Sequence, residues 1–154
     1  MTDILLVTTG KSLVRDALEI RQDVLVLDCS AGRDSIFAQL ESSMVEGVRI
    51  LLTYRCPYIL PERIFSKALE GAYNIHPTLL PAYPGLNPWQ KIFEDGVKES
   101  GVTLHRMSQD ADAGEIVAQL PFRMTSSEDL MSARHKSDRV ALTLVETYFF
   151  NDEL

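Results

Sequence analysis

Residues 73–85 read Y-N-I-H-P-T-L-L-P-A-Y-P-G, a run that holds an amide, an imidazole, a hydroxyl and three prolines. Side chains alternate along a strand, so Asn74 and His76 share one face if a strand ends near Ile75. Pro77 favours an extended conformation at His76, and the two later prolines disfavour a helix. The pattern predicts a strand that opens into a stiff loop and holds the imidazole beside the amide.

The composition is that of an ordinary globular protein, with 45% hydrophobic and 24% charged residues in a chain of 154. We expect one domain over residues 1–154. The formal net charge of -7 argues against nucleic acid as a partner, because an acidic surface repels phosphate backbones.

The N-terminal run M-T-D-I-L-L-V has an acid where a signal peptide carries positive charge, and it is too short to cross a membrane. We therefore expect no membrane association and a cytoplasmic location. Cys29 and Cys56 have neither C-x-x-C spacing nor a disulfide framework around them, which indicates reduced thiols.

The first half of the chain alternates between buried strands and helices. Apolar runs at residues 4–7, 24–27 and 48–53 predict strands, with Ser12 capping one intervening helix and Asp34 or Ser35 starting the next. The alternation predicts an α/β fold with an open, mainly parallel twisted sheet and helices on both faces.

The second half continues this pattern with local signals. Helices are predicted at residues 62–69, ended by Gly71, and at residues 88–93. Strands are predicted at residues 102–107 and 116–122, after turns at Asp95-Gly96 and Ser100-Gly101. A long last helix should begin after a cap at Ser126 or Ser127.

Four polar residues become candidates for catalysis because loops at the carboxyl ends of strands meet at one crevice. Asn74 and His76 end one strand, His105 lies in another, and Asp112 lies in the D-A-D-A-G loop. An amide, an imidazole and a carboxylate together can stabilise an oxyanion and move a proton. Asp110 fits either a carboxylate pair with Asp112 or an acidic solvent turn.

Other ligand sites have weaker signals. His76, His105 and His135 lack close metal-ligand spacing, so no metal is predicted, and His135 is expected to be exposed. The G-K-S run at residues 10–12 lacks the earlier glycine of a phosphate loop, because Leu5 stands there. A helix N-terminus that binds an anion and a plain turn both remain open for this run.

The motifs N-I-H-P-T-L-L-P-A-Y-P-G, G-V-T-L-H-R-M and D-A-D-A-G-E-I-V-A-Q together resemble the 10-formyltetrahydrofolate-dependent formyltransferases. This family includes glycinamide ribonucleotide, methionyl-tRNA and amino-sugar formyltransferases. The resemblance runs from about Tyr54 to the helix after Phe122. It implies a Rossmann-like formyltransferase fold and an enzyme of one-carbon metabolism.

Carried across by position, the resemblance implies catalytic roles for Asn74, His76 and Asp112, with His105 in support. Thr78 replaces a serine common in the family and keeps the hydroxyl. The resemblance also implies that 10-formyltetrahydrofolate, the formyl donor, lies between an apolar segment and a loop. The folate-contacting residues expected from it are Tyr58, Ile59, Leu60, Ser108, Asp110, Ala111 and Gly114.

The implied reaction is attack by an amine on the formyl carbon, with Asn74 and protonated His76 stabilising the oxyanion and Asp112 holding His76 charged. The turn T-T-G-K-S-L departs from the family's glycine- and serine-rich loop, which leaves the acceptor open. A small amine, such as an amino sugar on a nucleotide, is the leading expectation. Hydrolysis of the folate, glycinamide ribonucleotide formylation, and an inactive folate- or protein-binding relative are the alternatives, and a homodimer is left open.

Overall fold

The computed structural model describes residues 1–151, which form a six-stranded sheet in the order β2-β1-β3-β4-β5-β6. The strands are β1 (Thr2–Thr8), β2 (Val24–Asp28), β3 (Val48–Tyr54), β4 (Gly71–His76), β5 (Glu99–Arg106) and β6 (Ile116–Arg123). The first four pair in parallel, while β5 runs antiparallel to both of its neighbours.

Helices cover both faces of this sheet. They are α1 (Leu13–Glu19), α2 (Arg33–Glu46), α3 (Glu62–Phe65), α4 (Trp89–Asp95) and α5 (Leu130–Phe149), with a short 3-10 helix at Cys29–Ala31. Leu18 and Leu144 pack on one face of the sheet, and Leu40 and Ile64 pack on the other. The predicted α/β fold with a mainly parallel sheet is therefore confirmed.

The strands of this sheet alternate between its two cores. Leu5 and Leu6 are both fully buried, and each belongs to a different cluster because successive side chains point to opposite faces. On β4, Tyr73 and Ile75 enter the core beneath α1 and α5, as the alternation predicts. Asn74 and His76 are thus left to face the opposite side, where the strand ends.

Two predicted helix boundaries are wrong. The helix expected at residues 62–69 ends at Phe65, and Leu69 is 63% exposed. The backbone leaves the helix because Leu69 N–H donates to the Val48 carbonyl, which draws the chain back towards the sheet. Gly71 accordingly begins β4 with a positive φ of 133° instead of ending a helix.

The last helix begins later than predicted. Its cap is Asp129, whose carboxylate accepts from Ser132 N–H at 2.8 Å, while Ser132 Oγ accepts from Asp129 N–H at 3.1 Å. This reciprocal pair satisfies two backbone donors, which a cap at Ser126 or Ser127 does not do here.

The turn predicted at Ser100-Gly101 is also wrong, because both residues lie inside β5 and are buried. A Cβ at Gly101 would lie 2.4 Å from Leu79 Cδ2 and 2.5 Å from the Leu120 carbonyl oxygen. Glycine is therefore needed at this position because the loop after β4 packs closely against the strand, and not because the chain turns there.

In the part of the chain that the structure describes, no helix has both the length and the apolar character needed to cross a membrane.

Candidate active site

A cavity of about 710 Å³ opens where β3 and β4 end. All four side chains predicted to be catalytic line it: Asn74, His76, His105 and Asp112. Its volume falls within the range of small-molecule sites. The carboxyl ends of these strands therefore meet at a pocket large enough for an organic substrate.

Three neighbouring strands place a row of polar groups in the floor of this cavity. Thr53 lies opposite Asn74 in the parallel pairing, and Asn74 lies opposite His105 in the antiparallel one. Thr53 Oγ1 donates to Asn74 Oδ1 at 2.7 Å, and Asn74 Nδ2 lies 3.0 Å from His105 Nε2. The amide is held at both ends, which fixes its orientation.

The tautomer of His105 follows from its two partners. Its Nδ1 lies 3.0 Å from the Arg106 carbonyl oxygen, which only accepts, so Nδ1 carries a hydrogen. Its Nε2 then accepts from the Asn74 amide. Burial lowers the pKa of His105, whose side chain is 3% exposed, and the lower pKa favours this neutral ring.

His76 has a different pair of neighbours. Its Nε2 lies 2.8 Å from the Tyr83 carbonyl oxygen, and its Nδ1 lies 3.5 Å from Asp112 Oδ1. Both nitrogens thus face hydrogen-bond acceptors of the chain. Because the second distance exceeds a normal hydrogen bond, Nδ1 keeps the capacity to donate to a ligand in the cavity.

Asp112 connects the loop after β5 to the loop after β4. It adopts a left-handed conformation, with a φ of 56°, and its Oδ2 accepts from Gly85 N–H at 2.7 Å. Its other oxygen lies 3.7 Å from His105 Nε2 as well as near His76. One carboxylate is therefore anchored by backbone and presented to both imidazoles.

The loop that carries His76 onward is fixed by hydroxyl groups. Thr103 Oγ1 donates to the Thr78 carbonyl at 2.7 Å and accepts from Leu80 N–H at 3.0 Å. The hydroxyl of Thr78 itself donates to the Ala82 carbonyl at 2.6 Å. These contacts hold the Tyr83 carbonyl where His76 meets it.

Six of the seven residues expected to contact the folate line the cavity: Tyr58, Ile59, Leu60, Ser108, Asp110 and Ala111. Gly114 does not line it. A Cβ at Gly114 would lie 1.7 Å from the Arg106 carbonyl oxygen, so this glycine lets the chain pass close to the end of β5. Gly114 therefore supports the conformation of the loop that carries Asp112.

Sequence reasoning missed several residues of the cavity wall. Thr53 holds the Asn74 amide, and Arg134 and Ser137 bring α5 to the cavity. Arg134 and Ser137 are three residues apart on a predicted helix, and this spacing predicts that their side chains share one face of the helix. Trp89, the first residue of α4, also lines the wall and is 5% exposed.

The two cysteines, which the sequence separates by 27 positions, lie in contact. Their sulfur atoms are 3.6 Å apart as free thiols, and Cys56 lines the cavity while Cys29 is buried. Their proximity follows from the pairing of β1 with both β2 and β3, which brings the ends of those strands together.

His135 is exposed on α5, as predicted. Across residues 1–151, no group of three or more histidine, cysteine, aspartate or glutamate side chains is arranged to hold a metal ion.

The sequence profile of one protein family, described as formyl transferase, matches residues 33–145, which is nearly three quarters of the chain. This region contains all four candidate catalytic residues.

Several solved structures share the fold. Phosphoribosylglycinamide formyltransferase from Streptococcus pneumoniae TIGR4 has 18% identity and a TM-score of 0.73, over 97% of this chain and 99% of that one. A Mycobacterium tuberculosis protein described as a candidate sugar N-formyltransferase has 23% identity and a TM-score of 0.79, over 98% and 67%. A formyltetrahydrofolate deformylase from Pseudomonas syringae has 17% identity and a TM-score of 0.74, over 93% and 58%.

Proposed function

Because the chain belongs to the formyl transferase family, we propose that it transfers a formyl group from 10-formyltetrahydrofolate to the amine of a small substrate. The observation that carries this proposal is the meeting of Asn74, His76 and Asp112 in one cavity. An amide donor, an imidazole and a carboxylate can together stabilise the oxyanion and move the protons in acyl transfer to an amine.

In the proposed reaction, the amine nitrogen forms a bond to the formyl carbon and the bond from that carbon to N10 of the folate breaks. The amine loses a proton and N10 gains one. Negative charge develops on the formyl oxygen between these events, so donors aimed at that oxygen lower the barrier.

The Asn74 amide has two hydrogens, and one of them is engaged by His105. The second hydrogen is the oxyanion donor in this proposal, together with Nδ1–H of His76. Because Thr53 and His105 hold the amide in place, reorienting it costs little free energy when charge develops on the formyl oxygen. His105 thus acts as a positioning residue for Asn74.

Asp112 has two roles in the same proposal. Its negative charge lies 3.5 Å from Nδ1 of His76 and faces that edge of the ring. Its carboxylate also accepts the proton that the attacking amine loses. His76 or solvent then passes a proton on to N10 of the folate. The bond from Gly85 N–H keeps this carboxylate in position.

The cavity fits a folate in its chemistry. Ile59, Leu60 and Met107 supply apolar wall, and Ser108, Asp110 and Ala111 of the loop after β5 line the cavity where the polar edge of a pterin would lie. Such a combination of apolar surface with a few convergent polar groups is typical of small-molecule sites. These residues would hold the donor while the catalytic side chains face its formyl group.

Two acceptors deserve separate tests. The candidate sugar N-formyltransferase from M. tuberculosis shares this fold, which supports an amino sugar as the acceptor. The deformylase from P. syringae also shares it, which supports water as the alternative acceptor and formate as the alternative product. Both reactions use the same donor and the same developing oxyanion.

The proposal is tested by incubating the purified chain with 10-formyltetrahydrofolate and a panel of amines that includes nucleotide-linked amino sugars and glycinamide ribonucleotide. Mass spectrometry detects the formylated amine, and a formate assay detects hydrolysis. Enzyme-dependent formylation of an amine is the expected result. Formate release without transfer would replace the proposal with hydrolysis, and folate binding without either product would indicate a binding protein.

A further inference from the structure

The chain has two cysteines, and the fold places them side by side. Cys29 follows the last residue of β2, and Cys56 lies two residues after the end of β3. Both strands pair with β1 at Thr8, with Asp28 on one side and Tyr54 on the other. The register of the sheet therefore brings together two thiols that lie 27 positions apart in the sequence.

The distance between the two sulfur atoms suits a reversible covalent bond. They lie 3.6 Å apart as free thiols, and a disulfide requires a separation of about 2.05 Å. Rotation of the two side chains, with a small movement of the segments that carry them, closes the remaining gap. Because the sequence contains no other cysteine, no third thiol of the chain competes for either sulfur.

The two sulfur atoms differ in access and in acidity. Cys56 lines the cavity, so a small oxidant that enters the cavity reaches its sulfur, whereas Cys29 is 2% exposed. The hydrogen bond between the thiols lowers the pKa of Cys29 to about 7 and, together with burial, raises the pKa of Cys56. Cys56 is thus the sulfur that an oxidant meets, and Cys29 is the sulfur that ionises first. A thiolate beside an oxidised sulfur is the arrangement that closes a disulfide.

Tyr58 connects this pair to the part of the cavity wall proposed to contact the folate. Cys56 Sγ donates to the Tyr58 carbonyl at 3.4 Å, and the Tyr58 hydroxyl donates to the Cys29 carbonyl at 3.3 Å. A disulfide removes the S–H that donates to the Tyr58 carbonyl and draws Cys56 towards the buried Cys29. The wall formed by Tyr58 and Ile59 therefore changes shape when the bond forms.

We propose that Cys29 and Cys56 form a redox-sensitive pair at the cavity wall, and that their oxidation to a disulfide by a peroxide weakens folate binding and so slows formyl transfer. Formation of the disulfide does not depend on the reaction, whereas its effect on the folate rests on the proposed function. The reduced pair holds the Tyr58 carbonyl through Cys56, and the oxidised pair releases it.

The oxidation proceeds in two steps. Cys56 passes its proton to the Cys29 thiolate and forms an S–O bond as the O–O bond of the peroxide breaks, which gives a sulfenic acid and hydroxide. The Cys29 thiolate then forms the S–S bond and displaces the sulfenic oxygen as a second hydroxide. The two thiol protons convert both hydroxides to water, and the two electrons lost by the sulfur atoms reduce the peroxide. A small thiol reverses the change through a mixed disulfide.

To test this inference, the purified reduced chain is treated with a small excess of hydrogen peroxide, which is removed before folic acid is added. Alkylation followed by intact mass counts the remaining thiols, and a non-reducing gel distinguishes a bond within one chain from a bond between two. Folic acid affinity is measured by fluorescence for the reduced, oxidised and dithiothreitol-treated protein. Cys29→Ala removes the second thiol without changing a residue of the cavity wall, and Cys29→Ser is the alternative if alanine destabilises the core.

We expect the native chain to lose both thiols as one disulfide within the chain. The dissociation constant for folic acid should rise about tenfold, the effect of losing one or two wall contacts, and dithiothreitol should restore it. In Cys29→Ala the sulfenic acid at Cys56 has no second thiol to react with, so dimedone should label it while folic acid affinity stays near its reduced value. Met107 also lines the cavity, but its sulfoxide resists dithiothreitol, so restoration excludes methionine oxidation as the cause.

Retention of both thiols under peroxide that labels Cys56 in Cys29→Ala, or a disulfide only between chains, would overturn the pairing of the two cysteines. Equal folic acid affinity in the reduced and oxidised chains, or an equal loss of affinity in Cys29→Ala, would overturn the effect of the disulfide on the cavity. Failure of the proposed function is a different result, namely absence of folic acid binding in the reduced chain. The thiol count still decides in that case whether the disulfide forms.

Discussion

Asn74 and His105 lie directly opposite each other on β4 and β5, with the amide nitrogen 3.0 Å from Nε2 of a buried imidazole. The carbonyl of Arg106 fixes the ring tautomer, the ring fixes the amide, and Thr53 secures the other end of the amide. A hydrogen-bond donor is thereby held towards the cavity before any substrate arrives. Such preorganisation is the usual source of oxyanion stabilisation.

Replacement of Asn74 by alanine removes the proposed oxyanion donor. We expect kcat for formyl transfer to fall about 10²- to 10³-fold, with the dissociation constant for folate little changed. Thr53→Val should cause a smaller loss, because it frees one end of the amide and leaves the donor in place. Steady-state kinetics with folate binding by fluorescence checks both, and equal turnover in Asn74→Ala and the native chain would exclude the role.

Asp112→Asn removes the negative charge beside His76. We expect kcat to fall about 10²-fold or more, because the His76 ring loses the negative charge that faces it and the amine loses its proton acceptor. Asp110→Asn is the matched change two residues earlier in the same loop, and it should alter KM for folate more than kcat. If Asp110→Asn lowered kcat more than Asp112→Asn did, the essential carboxylate would be that of Asp110.

His105 makes stability depend on pH with a definite sign. Burial lowers its pKa in the folded chain, whereas the unfolded chain keeps the ordinary value of 6.5. The unfolded state therefore binds more protons as pH falls through 6.5 towards the folded pKa, and the free energy of unfolding decreases over that window. Above 6.5 this contribution to the pH dependence vanishes.

Urea unfolding at pH 7.5, 6.5 and 5.5 tests this dependence in the native chain and in His105→Gln. The variant should lose less stability between the first and last pH, and the exposed His135→Gln should behave as the native chain. Parallel pH profiles for the native chain and His105→Gln would contradict the neutral, buried ring.

Gly114→Ala places a methyl group 1.7 Å from the Arg106 carbonyl oxygen, a backbone atom that no side-chain movement relieves. We expect a loss of stability above the ~1–3 kcal/mol of ordinary overpacking, and a loss of activity as the Asp112 loop moves. Gly96→Ala is the control: its φ is 59° with open space around it, so the cost is strain of about 1–2 kcal/mol. Chemical denaturation with parallel assays separates the two, and similar behaviour of both variants would contradict a tight approach at Gly114.

The local part of the site could be read from the sequence because its cause is local. Alternation along one strand places Asn74 and His76 on the same face whatever surrounds them, and the structure has them so. The formyltransferase resemblance and the enzyme class expected from it are confirmed by the profile match over residues 33–145. The assignment of catalytic roles stays a prediction.

The remaining features depend on contacts between distant residues. The register that sets Asn74 opposite His105 arises from strand pairing, which no local pattern encodes. Ser100-Gly101 has the composition of a turn, but the glycine exists to admit Leu79. Asp138, a charged residue of the long last helix, is buried against the start of α1 and the Tyr54 hydroxyl.

His76 is the residue on which the proposed formyl transfer in this cavity most depends. Its most direct test is kcat with 10-formyltetrahydrofolate and an accepted amine for His76→Ala, beside His135→Ala as an exposed histidine outside the cavity. We predict a fall of about 10²-fold or more for His76→Ala, with folate affinity retained and His135→Ala unchanged. Turnover by His76→Ala equal to that of the native chain would exclude a catalytic role for His76.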